Sequence, residues 1–176
     1  DVAPSRGLGD VYKRQAWNKL YKRTIFTEHK ITYPTMYFED VATSPKTVFY
    51  ANKLAVVGEC LYFYVKRQGS ILSTMNVKKI NDLLYSVMII SNFLRRNGEY
   101  ASFETEIRRI ITKFKLVNIY SIIRQHILAF SFKGMHSNLK TNFKMARYIL
   151  DCEWTPTEGL PELPYAVKAP IKKDKK

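Results

Sequence analysis

Apolar residues recur at three- and four-residue spacings through the middle of the sequence, and this periodicity constrains the fold more than any other feature. The first stripe begins at Asn76 and predicts a helix that ends at Asn97-Gly98, a pair that commonly terminates helices. Further helices are predicted from Tyr100 to about Phe130 and from about Asn138 to Leu150. The stripes predict core packing and, by themselves, no function. Their members are Val77, Ile80, Leu83, Leu84, Val87, Met88 and Leu94 in the first helix, and Phe103, Ile107, Ile110, Ile111, Phe114 and Val117 in the second.

Two segments before the helical region have the composition of β-strands. Residues 53–58, KLAVVG, and residues 61–66, LYFYVK, are rich in Val, Tyr and Phe and predict a bent strand or a tight pair of strands. The polar residues 67–74 that follow contain Gly69 and predict a loop. The sequence therefore predicts strand structure within residues 53–66, a loop after it and helices from residue 76 onward.

The first residues of the chain resemble a laboratory sequence. Ser5 to Gln15, SRGLGDVYKRQ, matches the in-frame translation of a transposon sequencing adapter. We therefore leave residues 1–15 out of the fold prediction and expect Ala16 to begin a C-terminal fragment of a longer protein. At the other end, residues 151–176 are rich in Pro and Lys and predict a loose tail.

The chain is strongly basic, with a net charge of +14, and residues 1–15 contribute little of it. Such a charge predicts attraction to polyanions: nucleic acid, anionic lipid headgroups or nucleotide diphosphates. No apolar run reaches the roughly 18 residues that a membrane-spanning helix needs. Cys60 and Cys152 lack the spacing of a zinc site or a disulfide framework, which favours a reducing compartment.

An acidic pair, Glu39-Asp40, lies at the centre of residues 33–46, YPTMYFEDVATSPK. The pair follows Tyr37 and Phe38 and leads into a helix predicted from about Val41 to Asn52. Acidic side chains in a first helical turn interact with exposed N–H groups and with the helix dipole, so spacing alone favours a capping role. A carboxylate held at the start of a helix can also be oriented toward a substrate and act as a general base.

Three separated segments resemble the C-terminal half of the catalytic domain in bacterial family 2 glycosyltransferases. Residues 16–26, AWNKLYKRTIF, resemble the family's Trp-Asn-Lys-Leu-Tyr segment, and residues 33–46 resemble its Phe/Tyr-x-Glu-Asp-Val block. Residues 61–71, LYFYVKRQGSI, resemble its Tyr-x-Tyr-x-x-Arg-x-Gly-Ser-Ile segment. The resemblance implies an α/β fold: a partial GT-A mixed sheet, typical of nucleotide-diphospho-sugar transferases, over residues 16–75, followed by a helical extension over residues 76–150.

The resemblance implies that the parent protein is an inverting glycosyltransferase of surface polysaccharide or cell-wall synthesis. Such an enzyme transfers a sugar from a nucleotide-diphospho-sugar donor to a glycan or lipid-linked acceptor. Asp40 matches the family's base, which takes the proton of the acceptor hydroxyl, and Glu39 would orient Asp40 or touch the acceptor. The parent is expected in the cytoplasm, where it can contact the inner face of the plasma membrane.

Six further residues become candidates for substrate binding. Lys66 and Arg67 could contact the donor diphosphate, because cationic groups stabilise the charge that develops there. Lys46 stands where the family usually has Arg. Solvated surface charge explains Lys66 and Arg67 equally well. The six candidates are Trp17, Lys19, Lys46, Lys66, Arg67 and Ser70.

Residues 16–26 have a second interpretation that does not involve substrate. The pattern of the segment makes Trp17 and Leu20 candidate core anchors. Lys19, Lys22 and Arg23 more commonly form a solvated face than a ligand site.

The family's nucleotide site and its Asp-x-Asp metal motif belong to the N-terminal half of the catalytic domain. No Asp-x-Asp occurs in this chain. A Mg or Mn ion is therefore expected in the parent enzyme, with most of its ligands outside this chain. The chain alone is expected to be inactive.

Two alternative functions come from the charge. A basic helical nucleic-acid-binding module would need exposed rings for base stacking, whereas the aromatic residues here fall in predicted strands or apolar stripes. We therefore expect no nucleic-acid partner. A membrane-surface interaction module remains compatible with the glycosyltransferase prediction, since anionic headgroups attract Lys and Arg.

Overall fold

The computed structural model describes residues 15–59, residue 61 and residues 75–151. Within these ranges the chain forms five α-helices and two short 3-10 turns. None of these helices is long and apolar enough to cross a membrane. The helices are α1 (Arg23–Glu28), α2 (Glu39–Phe49), α3 (Val77–Arg96), α4 (Glu104–Leu128) and α5 (Met135–Asp151), and the turns are Ala16–Asn18 and Ala101–Phe103.

Helix α3 begins and ends where its sequence predicts. The Asn76 side chain accepts a hydrogen bond from the Lys79 N–H at 2.9 Å, which satisfies one of the free donors of the first turn. At the other end Gly98 has a left-handed φ of 72°, and the Glu99 N–H donates to the Leu94 carbonyl at 2.9 Å. This is a Schellman turn, in which glycine is favoured because it has no Cβ. The predicted helix stop is confirmed.

The core forms around α3, which packs against α2, α4 and α5. Its Ile80 and Val87 side chains are completely buried. Burial of each such apolar side chain stabilises the fold by about 1.5–3 kcal/mol, so α3 is the main source of packing energy. The buried cluster comprises Val41 of α2, Ile80, Leu83, Leu84, Val87, Met88, Ile90 and Leu94 of α3, Ile107, Ile111, Phe114 and Ile122 of α4, and Met145, Ala146 and Ile149 of α5.

Helices α4 and α5 correspond to the second and third predicted helices with shifted bounds. The second loses its first residues to a 3-10 turn and ends at Leu128, and the third begins at Met135. Phe103 and Val117, two predicted members of the buried stripe, are exposed. The stripe prediction was wrong for these two because Phe103 precedes the helix and α4 carries apolar residues on more than one side.

The predicted α/β fold with a partial GT-A mixed sheet is contradicted, because the described residues contain helices and no strand. Residues 53–58 are exposed and are not in a strand. Their β-branched composition favours a strand only where a neighbouring strand can pair with their backbone groups, and no described segment does so. Of residues 61–66, only Leu61 is described, and it is also exposed.

The N-terminal part of the prediction needs two corrections. Helix α2 spans Glu39–Phe49 and not residues 41–52, so Pro45 lies in its second turn, where it cannot donate to the carbonyl of Val41. Trp17 and Leu20 are not core anchors, since Trp17 is 41% exposed and Leu20 fully exposed. Residues 15–22 contain no buried residue, so this segment places no side chain fully inside the helical core.

Candidate active site at the start of helix α2

Helix α2 starts from a residue in a left-handed conformation. Phe38 has φ 62° and ψ 33°, and its carbonyl accepts the N–H groups of Val41 and Ala42. A bulky residue adopts this conformation at a cost of about 1–3 kcal/mol, so the contacts around it must hold it there. Strain of this kind occurs often at functional sites, and here it immediately precedes the acidic pair.

The acidic pair occupies the first turn of α2. Glu39 is exposed and Asp40 is half-buried. Asp40 Oδ1 accepts the N–H of Val41 at 2.8 Å, which orients the carboxylate. The positive end of the helix dipole also favours negative charge here. The capping role and the general-base role are therefore compatible at Asp40.

Lys19 is the cation that the structure brings to Asp40. Burial lowers the pKa of the Lys19 ammonium, and the Asp40 carboxylate partly offsets this shift. The ammonium donates to the Gln15 carbonyl at 2.9 Å and to Asn18 Oδ1 at 2.7 Å. These bonds orient the ammonium, and its electrostatic interaction with the carboxylate joins Asp40 and Lys19, both predicted as site residues, in one electrostatic cluster.

Tyr33 completes the cluster and was not singled out by the sequence. Burial raises the pKa of Tyr33 to about 12, and Tyr21, Asp40 and Glu39 add to the shift in that order. The Tyr33 ring stacks on Phe26 at 6.1 Å between centroids. The phenol therefore stays protonated at neutral pH and can serve as a hydrogen-bond donor. The sequence feature that could have indicated Tyr33 is its position at the start of residues 33–46, the segment that contains Glu39-Asp40.

Asp82 is a second residue that sequence reasoning missed. Its carboxylate accepts the backbone N–H of Tyr37 and so joins α3 to the loop before α2. In the sequence Asp82 stands four residues after Lys78 inside an apolar stripe, a spacing that indicates only a local ion pair on the helix surface. The Lys78 pair is present at 2.7 Å, but the long-range bond to Tyr37 could not be read from that spacing.

Lys46 lies apart from this cluster. It is six residues beyond Asp40, about 9 Å along the helix axis, and its ammonium is 6.0 Å from the ring centroid of Phe93 on α3. Burial lowers the pKa of Lys46, and the positive charge of Arg96 lowers it further. The structure therefore groups Lys46 with α3 and not with Asp40.

The other predicted substrate contacts have different outcomes. Trp17 lies in the 3-10 turn Ala16–Asn18, two residues before Lys19, with its side chain partly open to solvent. Lys66, Arg67 and Ser70 lie outside the described residues and stay predictions.

The acidic residues of the cluster do not suit a divalent cation. Across residues 15–59 and 75–151, no group of three or more His, Cys, Asp or Glu side chains could hold a metal. Near Asp40 the positive charge comes instead from Lys19. Mg²⁺ and Mn²⁺ need several oxygen ligands, which Glu39 and Asp40 alone do not supply. We assign no metal to this cluster.

The cluster combines a half-buried carboxylate, a lysine ammonium and a phenol. The carboxylate can accept a proton from a hydroxyl, and the ammonium and the phenol can donate hydrogen bonds. Comparison with known proteins adds no assignment: the chain matches no protein-family model, no curated protein and no solved structure.

Proposed function

We propose that Asp40 is the general base of a glycosyl-transfer reaction and that residues 16–50 form the acceptor side of its site. The observation that carries this proposal is the Asp40 carboxylate, half-buried in the first turn of α2, oriented by the Val41 N–H and in electrostatic interaction with Lys19 and Tyr33. The resemblance of residues 16–26 and 33–46 to family 2 glycosyltransferases supports it. The proposal concerns the chemistry of the cluster and does not retain the GT-A sheet.

In the proposed reaction the acceptor hydroxyl gives its proton to an Asp40 oxygen while its own oxygen attacks the anomeric carbon of the donor sugar. The bond from that carbon to the diphosphate breaks, and the electron pair leaves with the nucleoside diphosphate. Attack opposite the leaving group inverts the anomeric configuration. Glu39, exposed beside Asp40, would touch the acceptor or orient the base.

The remaining side chains have supporting roles in the proposal. The Lys19 ammonium and the Tyr33 phenol would donate hydrogen bonds to the acceptor, which fixes the attacking hydroxyl against Asp40. Lys66 and Arg67 remain the predicted contacts of the donor diphosphate, and Trp17 and Ser70 remain predicted substrate contacts. No step is assigned to a metal ion.

The proposal implies a nucleotide-diphospho-sugar donor and a glycan or lipid-linked acceptor. These partners place the reaction on the cytoplasmic side of the membrane, where nucleotide sugars are the donors of polysaccharide synthesis. The sequence holds no Asp-x-Asp, so the acceptor side must be combined with a nucleotide-binding half before transfer can occur. We expect the chain by itself to transfer no sugar.

The test joins the chain to an N-terminal half of a family 2 enzyme that carries Asp-x-Asp. Release of nucleoside diphosphate is then measured with a panel of nucleotide sugars and glycan acceptors. Asp40→Asn keeps the size of the side chain but removes the base, so turnover should fall by about 10²–10⁴-fold. Glu106→Gln is the matched control, because Glu106 is also an acid in the first turn of a helix but lies in α4.

Two results would reject the proposal at different points. Full turnover in the Asp40→Asn variant would remove Asp40 from the role of base. Failure of every joined protein to transfer sugar, although each folds and binds its nucleotide, would reject the glycosyltransferase function itself.

A further inference from the structure

The outward side of α4 carries a second apolar row. Its members follow one another at spacings of four, three and four residues, which places them on one side of the helix. This side is opposite the buried row that contains Ile111 and Ile122. All members are exposed, from 37% to 68% of their surface. The row comprises Leu116, Tyr120, Ile123 and Ile127.

The turn between α4 and α5 adds two exposed phenylalanines. Phe130 is 82% exposed and Phe132 is 60% exposed. Phe130 has a left-handed φ of 47° and follows α4 in a Schellman turn, since the Ser131 N–H donates to the His126 carbonyl at 3.1 Å. The equivalent position after α3 is occupied by Gly98, and glycine adopts a positive φ more easily than any other residue. Phe130 is therefore strained and exposed to water at once, and packing among the described residues explains neither property.

Buried hydrogen bonds hold this turn in shape. His126 is 1% exposed, its Nδ1 donates to the Ser131 carbonyl at 2.5 Å, and the Asn138 amide donates to its Nε2 at 3.2 Å. These bonds join the end of α4, the turn and the start of α5. The two phenylalanines consequently project from an ordered tip, so that binding through them loses little conformational entropy.

The hairpin of α4 and α5 is also basic. Residues 107–150 contain nine Lys and Arg and no Asp or Glu. Several of the basic side chains are exposed and form no ion pair with a described residue. Two of them, Arg109 and Lys113, continue the apolar row toward the start of α4. The exposed basic residues are Arg109, Lys113, Arg124, Lys133 and Lys140.

We propose that this hairpin surface docks on an anionic phospholipid bilayer, with the two phenylalanines inserted among the acyl chains and the basic residues at the headgroups. The hairpin surface comprises Leu116, Tyr120, Ile123, Ile127, Leu128, Phe130 and Phe132 with the five exposed basic residues named above. An apolar face combined with Lys and Arg is what binding in the bilayer interface requires. The proposal does not depend on the role of Asp40.

The chemistry of the surface favours lipid over the two other occupants. A nucleic acid would use the basic residues and could stack on the rings, but the aliphatic Leu116, Ile123 and Leu128 offer no ring for stacking. A second copy of the chain would cover the apolar row, but the nine basic residues of one hairpin would then repel the nine of the other. A bilayer with anionic headgroups matches both the apolar and the basic part.

The test measures co-sedimentation of the full chain with phosphatidylcholine vesicles that contain or lack phosphatidylglycerol. We expect binding to the anionic vesicles that weakens as salt is added, and little binding to the neutral ones. The double substitution Phe130→Ser with Phe132→Ser should lower the partition coefficient by at least about tenfold. Its matched control is Leu54→Ser with Val56→Ser, two exposed apolar residues outside the hairpin.

A variant that removes basic residues tests the electrostatic part of the binding without changing the phenylalanines. Arg124→Gln with Lys133→Gln should weaken binding to anionic vesicles, whereas Lys22→Gln with Lys53→Gln, also exposed, should have a smaller effect. Phe130→Gly separates docking from folding: it should raise the melting temperature, because strain is relieved, and still weaken vesicle binding.

Three results would overturn the proposal. The first is equal binding to neutral and anionic vesicles, or unchanged binding in both the phenylalanine and the charge variants. The second is tight binding of a fluorescent single-stranded RNA, lost in the phenylalanine variant, without vesicle binding. The third is a dimer in sedimentation velocity that the phenylalanine variant abolishes, again without vesicle binding.

Discussion

Asp82 Oδ2 accepts the backbone N–H of Tyr37 at 2.9 Å and joins two parts of the chain that are 45 residues apart. The ammonium groups of Lys78 and Lys79 lie 4.9 and 5.4 Å from the centroid of the Tyr37 ring, so α3 contacts both the backbone and the side chain of this residue. Tyr37 immediately precedes the strained Phe38. The contacts of α3 with Tyr37 therefore help to hold Phe38 in the left-handed conformation that precedes Glu39 and Asp40.

Replacing Asp82 should loosen this connection. Asp82→Ala leaves the Tyr37 N–H without its acceptor and should lower the free energy of unfolding by about 1–3 kcal/mol. Lys78→Met should cost at most about 1 kcal/mol, because the Lys78 side chain is 63% exposed and surface ion pairs contribute little. Urea unfolding measures both values. If Asp82→Ala were as stable as the unmodified chain, the loop before α2 would be held by other contacts.

Titration of Tyr33 tests the geometry of the proposed site. Its pKa in the folded chain, about 12, lies above the value near 10 that an unfolded tyrosine has. The folded state thus holds this proton more tightly. The stability contributed by the neutral phenol is fully present below about pH 10 and is lost as the pH rises through about 12. Ultraviolet absorbance of tyrosinate should show a late-titrating group that Tyr33→Phe removes.

The same titration reports on the neighbours of Tyr33. Asp40→Asn removes a negative charge that raises the pKa of Tyr33 and that also raises the pKa of Lys19. Both pKa values should therefore fall in this variant, as measured by absorbance for Tyr33 and by NMR for Lys19. Glu106→Gln in α4 should change neither. An unchanged Tyr33 pKa in the Asp40→Asn variant would separate the two residues.

Local signals explain which parts of the fold the sequence could predict. The apolar stripe of α3, its Asn76 cap and its Gly98 stop act within a few residues of one another, so their meaning does not depend on the rest of the chain. The predicted strand at residues 53–58 failed because a strand needs a partner, and composition cannot provide one.

The candidate site also combines features that the local sequence predicts with features that depend on tertiary contacts. Glu39 and Asp40 lie in the first turn of α2, next to the place their pattern predicts. The left-handed Phe38 and the bond from Asp82 arise from tertiary contacts, which no local spacing encodes. The family motif places Lys46 and Asp40 on one segment, whereas the contact of Lys46 with Phe93 of α3 depends on tertiary packing; the role of Lys46 in substrate binding stays a prediction.

Two buried asparagines should be replaceable by an apolar residue with a gain in stability. Asn118 of α4 and Asn142 of α5 are completely buried, and their amide groups have no hydrogen-bond partner among the described residues. An unpaired buried polar group costs about 1–3 kcal/mol. Asn118→Leu or Asn142→Leu should therefore raise the free energy of unfolding by an amount in that range, measured by urea unfolding.

Asn138 provides the control for this prediction. It is also buried, but its amide donates to His126 Nε2 at 3.2 Å, so Asn138→Leu should destabilise the chain. Destabilisation by all three substitutions would mean that Asn118 and Asn142 bind ordered water or pack too tightly for leucine.

The ends of α3 and α4 offer a matched pair of substitutions at one backbone conformation. Gly98 and Phe130 both have positive φ, 72° and 47°, in equivalent Schellman turns. A side chain in this conformation costs about 1–2 kcal/mol. Gly98→Ala should lower the free energy of unfolding by about 1 kcal/mol through the backbone alone, because a Cβ there would meet nothing within 4 Å. Phe130→Gly should raise it by a similar amount, since Phe130 is 82% exposed and loses little packing. Thermal unfolding of the two variants measures both shifts. A loss of stability in Phe130→Gly would show that the Phe130 ring packs against the chain itself and is not free to bind a partner surface.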